Sequence, residues 1–548
     1  MATVVIKGAL LWITVMMISW TNVTNGQILQ DIRAKCTGTN ELDFLKKEII
    51  ALQKVVKEQA IKMQIQEEQI YSINQKLSLN GDQTSTALLT TGKVATNSKT
   101  KFNNTTKTIM TVTTSKTTLS VGTSPIARTS TGIKGKEFLV LFMRNYASAS
   151  GPFRMFITTN SDSSVAISTS PNLEATIKKA TDRIINITSS SNISLPFKLS
   201  CDYFKIEPKA VLVETSQLST ISIFASYHVY SNDGTLVIPT NRLSTKYLVS
   251  STDPRSTKPD YYSQFSIAAL HEGTNVNIKF RIKATSSIAL LGGTYKNQDV
   301  FTTTLDKYET FQIGHGSDLS GTFIVSTKPI AVFSGNRYQY LKGGSYSHMV
   351  TQLPPLTEFD TQYIVPTFYN NLATLIQVVS TSPSLINISI GSNVSTLHIA
   401  EHEYKNFEID SGEVTILTCE NPILIVGFGM GSSNFNYSPY MTVIPGIHQY
   451  LDYYKVFVPD GYTHNYICVM ILQKYINDIQ VNDYSTDNYI FVSRRQVVIS
   501  QSTFSILTFT VNSGTVVLST TNNAKFGLIV YGHRNSDGYA FAGNFVLS

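Results

Sequence analysis

Residues 398–402 read His-Ile-Ala-Glu-His, a spacing with which two imidazoles and a carboxylate serve zinc peptidases. On a helix, His398 and His402 would share one face and hold the metal, and Glu401 would act on metal-bound water. The flanking residues argue against a helix. The string lies in TLHIAEHEYKNFEI, which aligns with the earlier TLDKYETFQI, and both read as strand–turn–strand. In a strand, residues four apart share a face but stand about 13 Å apart, too far to share one ion. Nucleophile elbows of the form GxSxG, Walker loops and Rossmann fingerprints are absent. None of the other His has a Cys or His at ligand spacing. No catalytic residue, metal or cofactor is assigned, and an enzyme is not expected.

The thiols, sequons and phenols offer other chemistry. With 4 Cys in 548 residues, a disulfide-dense scaffold is excluded. Cys36 stands just ahead of a helical segment, where a parallel coiled coil would set it beside its counterpart in another chain. An interchain disulfide and a bridge within the chain both remain open. Cys419 (TILTCENP) and Cys468 (NYICVMI) fall on strands read as neighbours and are candidates for a disulfide. Cys201 is then left over, either buried and free or paired with Cys36. Sequons at Asn103, Asn104, Asn186, Asn192, Asn387, Asn393 and Asn436 are N-glycosylation candidates if the chain is secreted; Pro439 weakens the last. Tyr338, Tyr340, Tyr346, Tyr437, Tyr440, Tyr450, Tyr453 and Tyr454 cluster in predicted loops. Such residues suit glycan or protein contacts. They equally suit the capping of sheet edges, so no ligand site is assigned from them.

The elements that must carry these residues differ sharply along the chain. Residues 1–26 read as a signal peptide, with Lys7 ahead of the apolar run 8–20. Residues 41–79 are predicted to form a coiled coil. The a positions Leu42, Ile49, Val56, Met63, Ile70 and Leu77 are all apolar, and Gln59 and Gln66 interrupt the d row. Residues 80–134, nearly half Ser or Thr in their central stretch, are predicted to be a flexible stalk. Residues 1–136 hold 17 Lys/Arg and 8 Asp/Glu, leaving 27 and 29 in the remainder. The body is therefore near neutral, which argues against nucleic acid as a partner. No later run is long enough to span a membrane.

From residue 135 to 548 the texture is short runs of branched and aromatic residues broken by Gly, Pro, Asn and Asp. An all-β body is predicted. Asn232-Asp233-Gly234 and Asp537-Gly538 read as turns. PIAVFSGNRYQY with HMVTQLPPLTEFDTQYIVP recurs as PILIVGFGMGSSNFNYSPYMTVIPGIHQYLDYYKVFVP. Strand starts near Phe138, Tyr247, Tyr363 and Tyr454 mark four repeats of about 100 residues. Tandem β-sandwich-like modules and propeller-like closure both fit.

On KEFLVLFMRN, DLSGTFIVSTKPIAVFSGN, HMVTQLPPLTEFDTQYIVP, SPYMTVIPGIHQYLDYYKV and GLIVYGHRNSDGYA, residues of about 135–545 resemble the N-terminal domain of the IgGFc-binding protein family. The resemblance leaves out the coiled coil and stalk. Large members of that family continue into cysteine-rich von Willebrand D repeats, which are not expected in a chain with so few Cys. The family name refers to antibody Fc, but no motif carries an Fc contact over to particular residues. The resemblance implies extracellular recognition or adhesion without catalysis, in mucosal or innate defence.

The expected protein is thus secreted, oligomeric through its coiled coil, and non-enzymatic. Its expected partners are microbial surfaces or mucus glycoproteins. The alternative is a self-associating structural component of mucus or extracellular matrix. Joining several weak sites on one oligomer would raise avidity by about 10²–10⁴.

Overall fold

The segment Thr274–Lys279 shows how the body folds. Thr274, Val276 and Ile278 are buried while Asn275, Asn277 and Lys279 are exposed. That period of two leaves one face for the core. On the outer face, Thr304 and Thr302 donate to Asn275 and Asn277 across the strand pair, each at 2.7 Å. Ser263–Ala269, paired on its two edges with Thr310–His315 and Phe323–Gln339, is buried throughout.

The computed structural model describes residues 132, 134–146, 151–224, 231–254, 260–432 and 437–547. The segments expected to be a signal peptide (1–26) and a coiled coil (41–79), nearly all of the expected stalk (80–134), and Cys36, Asn103, Asn104 and Asn436 lie outside them. The described chain is all-β, with curled sheets and one short helix, Ala175–Thr181.

Long strands organise the sheets. In the first unit, Val211–Phe224 pairs through its first half with Gly135–Val140 and Ser163–Thr169. Through its second half it pairs with Phe153–Thr159 and Gly234–Val237. Phe323–Gln339 and Val414–Gly429 have corresponding partners on both halves. Further on, the two halves are separate strands, Gly514–Thr520 and Phe526–Arg534. The break between them is a local turn, in which Asn523 adopts a positive φ and Asn522 accepts from the Ala524 amide.

A recurrent tyrosine pins the bend of a long strand. The Tyr363 hydroxyl accepts from the Asp360 amide at 2.8 Å and donates to the Ile423 carbonyl. Tyr247 does the same between Ser244 and Ile330, and Tyr454 between Leu451 and Phe526. All three rings are buried. Tyr363→Phe would strand a buried donor and a buried acceptor. A loss of about 1–3 kcal/mol is expected in denaturant unfolding, with folding retained.

The four strands that follow the long ones, Gly234–Val237, Ser347–Gln352, Tyr440–Val443 and Asp537–Ala542, are the inner strands. They touch in a closed ring, first to second, second to third, third to fourth and fourth to first. Each is paired on one side with its long strand, so the opposite edge faces the ring axis. Asp233 fills that axis. Its Oδ1 accepts from the amides of Gly234 (2.8 Å) and Ala540 (3.2 Å), and its Oδ2 from those of Met441 (3.0 Å) and Val350 (3.1 Å). One carboxylate thus satisfies an amide from every inner strand. Burial pushes this carboxyl up, and the four amides oppose the shift. Every one of these partners is a donor, so the ionised form is the one that fits the site.

Contacts between the first and last units complete the ring. Phe156 stacks on Phe457 at 4.4 Å, Thr158 donates to the Lys455 carbonyl at 3.0 Å, and Thr515 meets Ser190 at 2.7 Å. Gly135–Val140 stays with the long strand of its own unit. The chain ends therefore close by packing rather than by exchanging a strand.

Candidate functional site

The long strand Phe323–Gln339 ends just after Tyr338, and a turn at residues 340–346, starting with Tyr340, returns the chain to the inner strand Ser347–Gln352. The turn needs glycine. Gly343 and Gly344 have φ of 73° and 69°, and a Cβ on Gly344 would lie 1.6 Å from the Tyr437 carbonyl oxygen. The turn brings Tyr346 back onto Tyr338, with centroids 5.3 Å apart and planes at 17°. Tyr146, from the first unit, stacks on the other side of Tyr338 at 4.1 Å and 15°. Tyr340 leans on Tyr346 at 5.3 Å. Tyr261 meets Tyr146, Tyr338 and Tyr346 edge-on beneath them.

Arg337 holds this stack together. Its guanidinium donates to the carbonyls of Asn145 (3.2 Å), Tyr146 (3.1 Å) and Asp260 (3.0 Å). Asn145 in turn donates to the Ser231 carbonyl at 2.6 Å, and Ser231 bonds the His348 amide at 3.1 Å. The platform is thereby tied to the inner ring. Tyr146 is 37% exposed, Tyr338, Tyr340 and Tyr346 are half-buried, and Tyr261 is buried. Desolvation and a hydrogen bond with Tyr146 push the Tyr261 phenol up to about 12, which keeps it a neutral donor at physiological pH. The result is a stack of neutral aromatic rings at the surface, with hydroxyl tips, suited to lying against a sugar face or a protein surface.

The sequence's list of tyrosines therefore divides. Tyr338, Tyr340 and Tyr346 join the platform. Tyr437 and Tyr440, with Tyr466 and Tyr531, surround the buried His533, and Tyr437 stacks on that imidazole at 4.5 Å. Tyr450 and Tyr454 are core residues. Tyr453 is half-buried, and its hydroxyl meets Asn160 at 3.3 Å. Sequence reading missed Tyr146, Tyr261 and Arg337, which come from three separate segments and share no motif.

The His398–His402 string is a strand end followed by a turn. His398 closes on Leu385 in a strand pair, and His402 has φ of 56° in the turn. The zinc-binding helix is not formed. The disulfide expected between Cys419 and Cys468 is not formed either. Both residues, with Cys201, are free thiols. Their strands, Val414–Gly429 and His464–Leu472, belong to different sheets and do not pair. Cys419 donates instead to the Thr361 carbonyl at 3.3 Å. Burial pushes the Cys201 thiol up to about 11 and the Cys419 and Cys468 thiols up to about 12, so none is a ready nucleophile. Asn186, Asn192, Asn387 and Asn393 are all exposed.

The family model described as IgGFc binding protein matches residues 233–532. The human IgGFc-binding protein is 24% identical over 421 residues, which are 75% of this chain and 8% of that relative. The chain thus spans a small part of the relative's length. Among solved structures, the major pilin of Streptococcus pyogenes is 6% identical over 75% of this chain and 98% of its own, with a TM-score of 0.13. A calcium-stabilised ice-binding adhesin of an Antarctic bacterium is 9% identical over 76% and 100%, with a TM-score of 0.10. Neither superposition is close enough to carry an argument.

Proposed function

Because the chain belongs to the IgGFc-binding protein family, we propose that it is a secreted, non-enzymatic recognition protein that binds extracellular glycoproteins or microbial surfaces through the tyrosine platform. The platform carries this reading: stacked phenols, fixed by Arg337, stand at the surface where a core would gain more by burying them. In this reading the body is four repeats of one module closed around Asp233. The coiled coil of residues 41–79 gathers copies, with Cys36 available for an interchain bridge, and residues 80–134 space them. Exposed Asn186, Asn192, Asn387 and Asn393 are the proposed glycan acceptors in the body.

The test is binding of the full chain to mucin, whole microbes and antibody Fc, with Tyr338→Ala/Tyr346→Ala as the variant. A drop of about tenfold or more toward one of these ligands is expected, as for an aromatic hot spot, with thermal unfolding shifted only slightly. Undiminished binding by a folded variant would remove the platform from the proposal.

A specific observation favours self-association as the second reading. The sheet-edge strands Arg183–Ile187, Val300–Leu305, Asn393–Ile399 and Tyr484–Ser485 each expose one large apolar residue: Ile184, Val300, Val394 and Tyr484. Open edges of this kind are templates for pairing with another chain. Continued growth in light scattering without ligand binding would select this reading.

A further inference from the structure

Away from the platform, a cavity of about 350 Å³ opens where the end of Thr274–Lys279 and residues 280–281 meet the turn at 400–403 of the next unit. Its walls combine three kinds of chemistry. Lys279 is exposed and, like nearby Lys246, enters no ion pair or hydrogen bond among the described residues. The Arg281 guanidinium lies 4.5 Å over the Tyr404 ring, which fixes its direction. The His402 imidazole is stacked on Phe323 at 4.2 Å and 24°, an aromatic floor. The Gln298 side chain lines the cavity without a partner among the described residues, Glu403, paired with Lys405 at 2.9 Å, supplies carboxylate oxygens, and the exposed Glu401 stands at the edge 4.0 Å from His402.

The backbone is shaped around this space. Gln298, Gly321 and His402 hold φ of 73°, 81° and 56°. A Cβ on Gly321 would sit 2.7 Å from Arg281 Cδ and 3.0 Å from the His402 carbonyl oxygen. Side chains other than glycine are strained in this region, and such positions gather at binding sites. Burial holds His402 below the usual imidazole range, and the uncompensated Lys279 and Lys246 add to the shift against Glu401. Around the cavity, Lys279, Arg281, Lys246 and the Lys405 that pairs with Glu403 outnumber the acids Glu401, Glu403 and Asp318 by one, which leaves a small positive balance centred on Lys279.

We propose that this cavity binds an acidic sugar residue, with its carboxylate or sulfate against Lys279 and Arg281, one ring face on His402, and hydroxyls on Gln298 and Glu403. A bare inorganic anion would leave the aromatic floor and the amide unused. A neutral sugar would leave Lys279 without a partner, and a hydrocarbon would bury it. Only a ring that carries both hydroxyls and a negative charge uses every wall. The cavity shares no residue with the tyrosine platform, so each proposal stands or falls without the other.

The experiment titrates the full chain with sialyllactose, sulfated lactose and plain lactose by isothermal calorimetry and ligand-observed NMR. At least one acidic probe is expected to bind about tenfold or more tighter than lactose, and raising salt to about 0.5 M should weaken it. The arm that binds tells carboxylate from sulfate. Lys279→Gln, at an exposed position, should keep the unfolding temperature and lose about fivefold or more in affinity; Gln298→Ala should lose affinity for acidic and neutral probes alike. The proposal is overturned if lactose binds as tightly as both acidic probes, if Lys279→Gln binds unchanged, or if no probe binds at about 10 mM.

Discussion

Asp233→Ala is expected to leave the chain unable to close its ring. The carboxylate accepts an amide from each inner strand: Gly234, Val350, Met441 and Ala540. An unsatisfied buried amide costs about 1–3 kcal/mol, so four together cost on the order of 5 kcal/mol or more. That is comparable with the whole stability of an ordinary domain. Asp233→Asn is the sharper variant. It keeps the shape but turns an NH₂ toward two donors, and it should fall well below the natural chain without matching the alanine. Asp253→Asn, which loses an exposed pair with Lys283 and keeps an amide oxygen to accept from the Asp318 amide, serves as the control and should change stability by less than about 1 kcal/mol. The measurement is the yield of folded protein together with the midpoint of denaturant unfolding. If Asp233→Ala matches the control, the carboxylate does not hold the ring.

The second large effect is acid lability. His533 is wholly buried among Tyr437, Tyr440, Tyr466 and Tyr531, and neither ring nitrogen has a partner in good hydrogen-bond geometry. Burial, with the charge of His464 adding to it and the Tyr369 backbone opposing, lowers its pKa to about 3. His348 donates Nδ1–H to the Arg337 carbonyl at 3.2 Å. Burial and the Arg337 charge lower it to about 4, against the backbone of Arg337 and Asn336. Both imidazoles are neutral when folded and free to take a proton when unfolded, at an ordinary pKa of about 6.5. The unfolded chain binds more protons below that value, so stability is fully present above about pH 6.5 and falls as the solution is acidified toward 4. Near pH 4.5 each histidine should have withdrawn roughly 2–3 kcal/mol. His533→Phe removes two unsatisfied nitrogens from an aromatic enclosure. It should be neutral or stabilising at pH 7.5 and flatten the acid limb between pH 6.5 and 4. Parallel pH profiles for the variant and the natural chain would show that His533 is not the group responsible.

Much of the architecture was legible in the residues. Branched and aromatic runs with a period of two, as in Thr274–Lys279, determine strands because one face must leave water. Tyr247, Tyr363 and Tyr454 recur near strand starts read from the sequence, and in the structure each hydroxyl accepts from the amide three residues back and donates to a carbonyl of a distant strand. The turn around His402 could also be read, since the aligned TLDKYETFQI made a zinc-binding helix implausible. These are local relations, decided within one unit by alternation, turn chemistry and repetition.

The rest depended on which distant segments meet. Cys419 and Cys468 fall on segments that read as neighbouring strands, yet those strands enter different sheets. Tyr146, Tyr261 and Tyr338 become one stack only because Arg337 ties together loops from separate segments. Asn232-Asp233-Gly234 reads locally as an ordinary turn, and its composition says no more than that. Asp233 becomes the axis because three other inner strands bring their unpaired amides to it from over 100 residues away. Sequence by itself determined the β class and the family. Tertiary structure alone decided the ring, its central carboxylate and the tyrosine platform, because a side chain's desolvation and its partners are properties of the closed assembly and not of its neighbours along the chain.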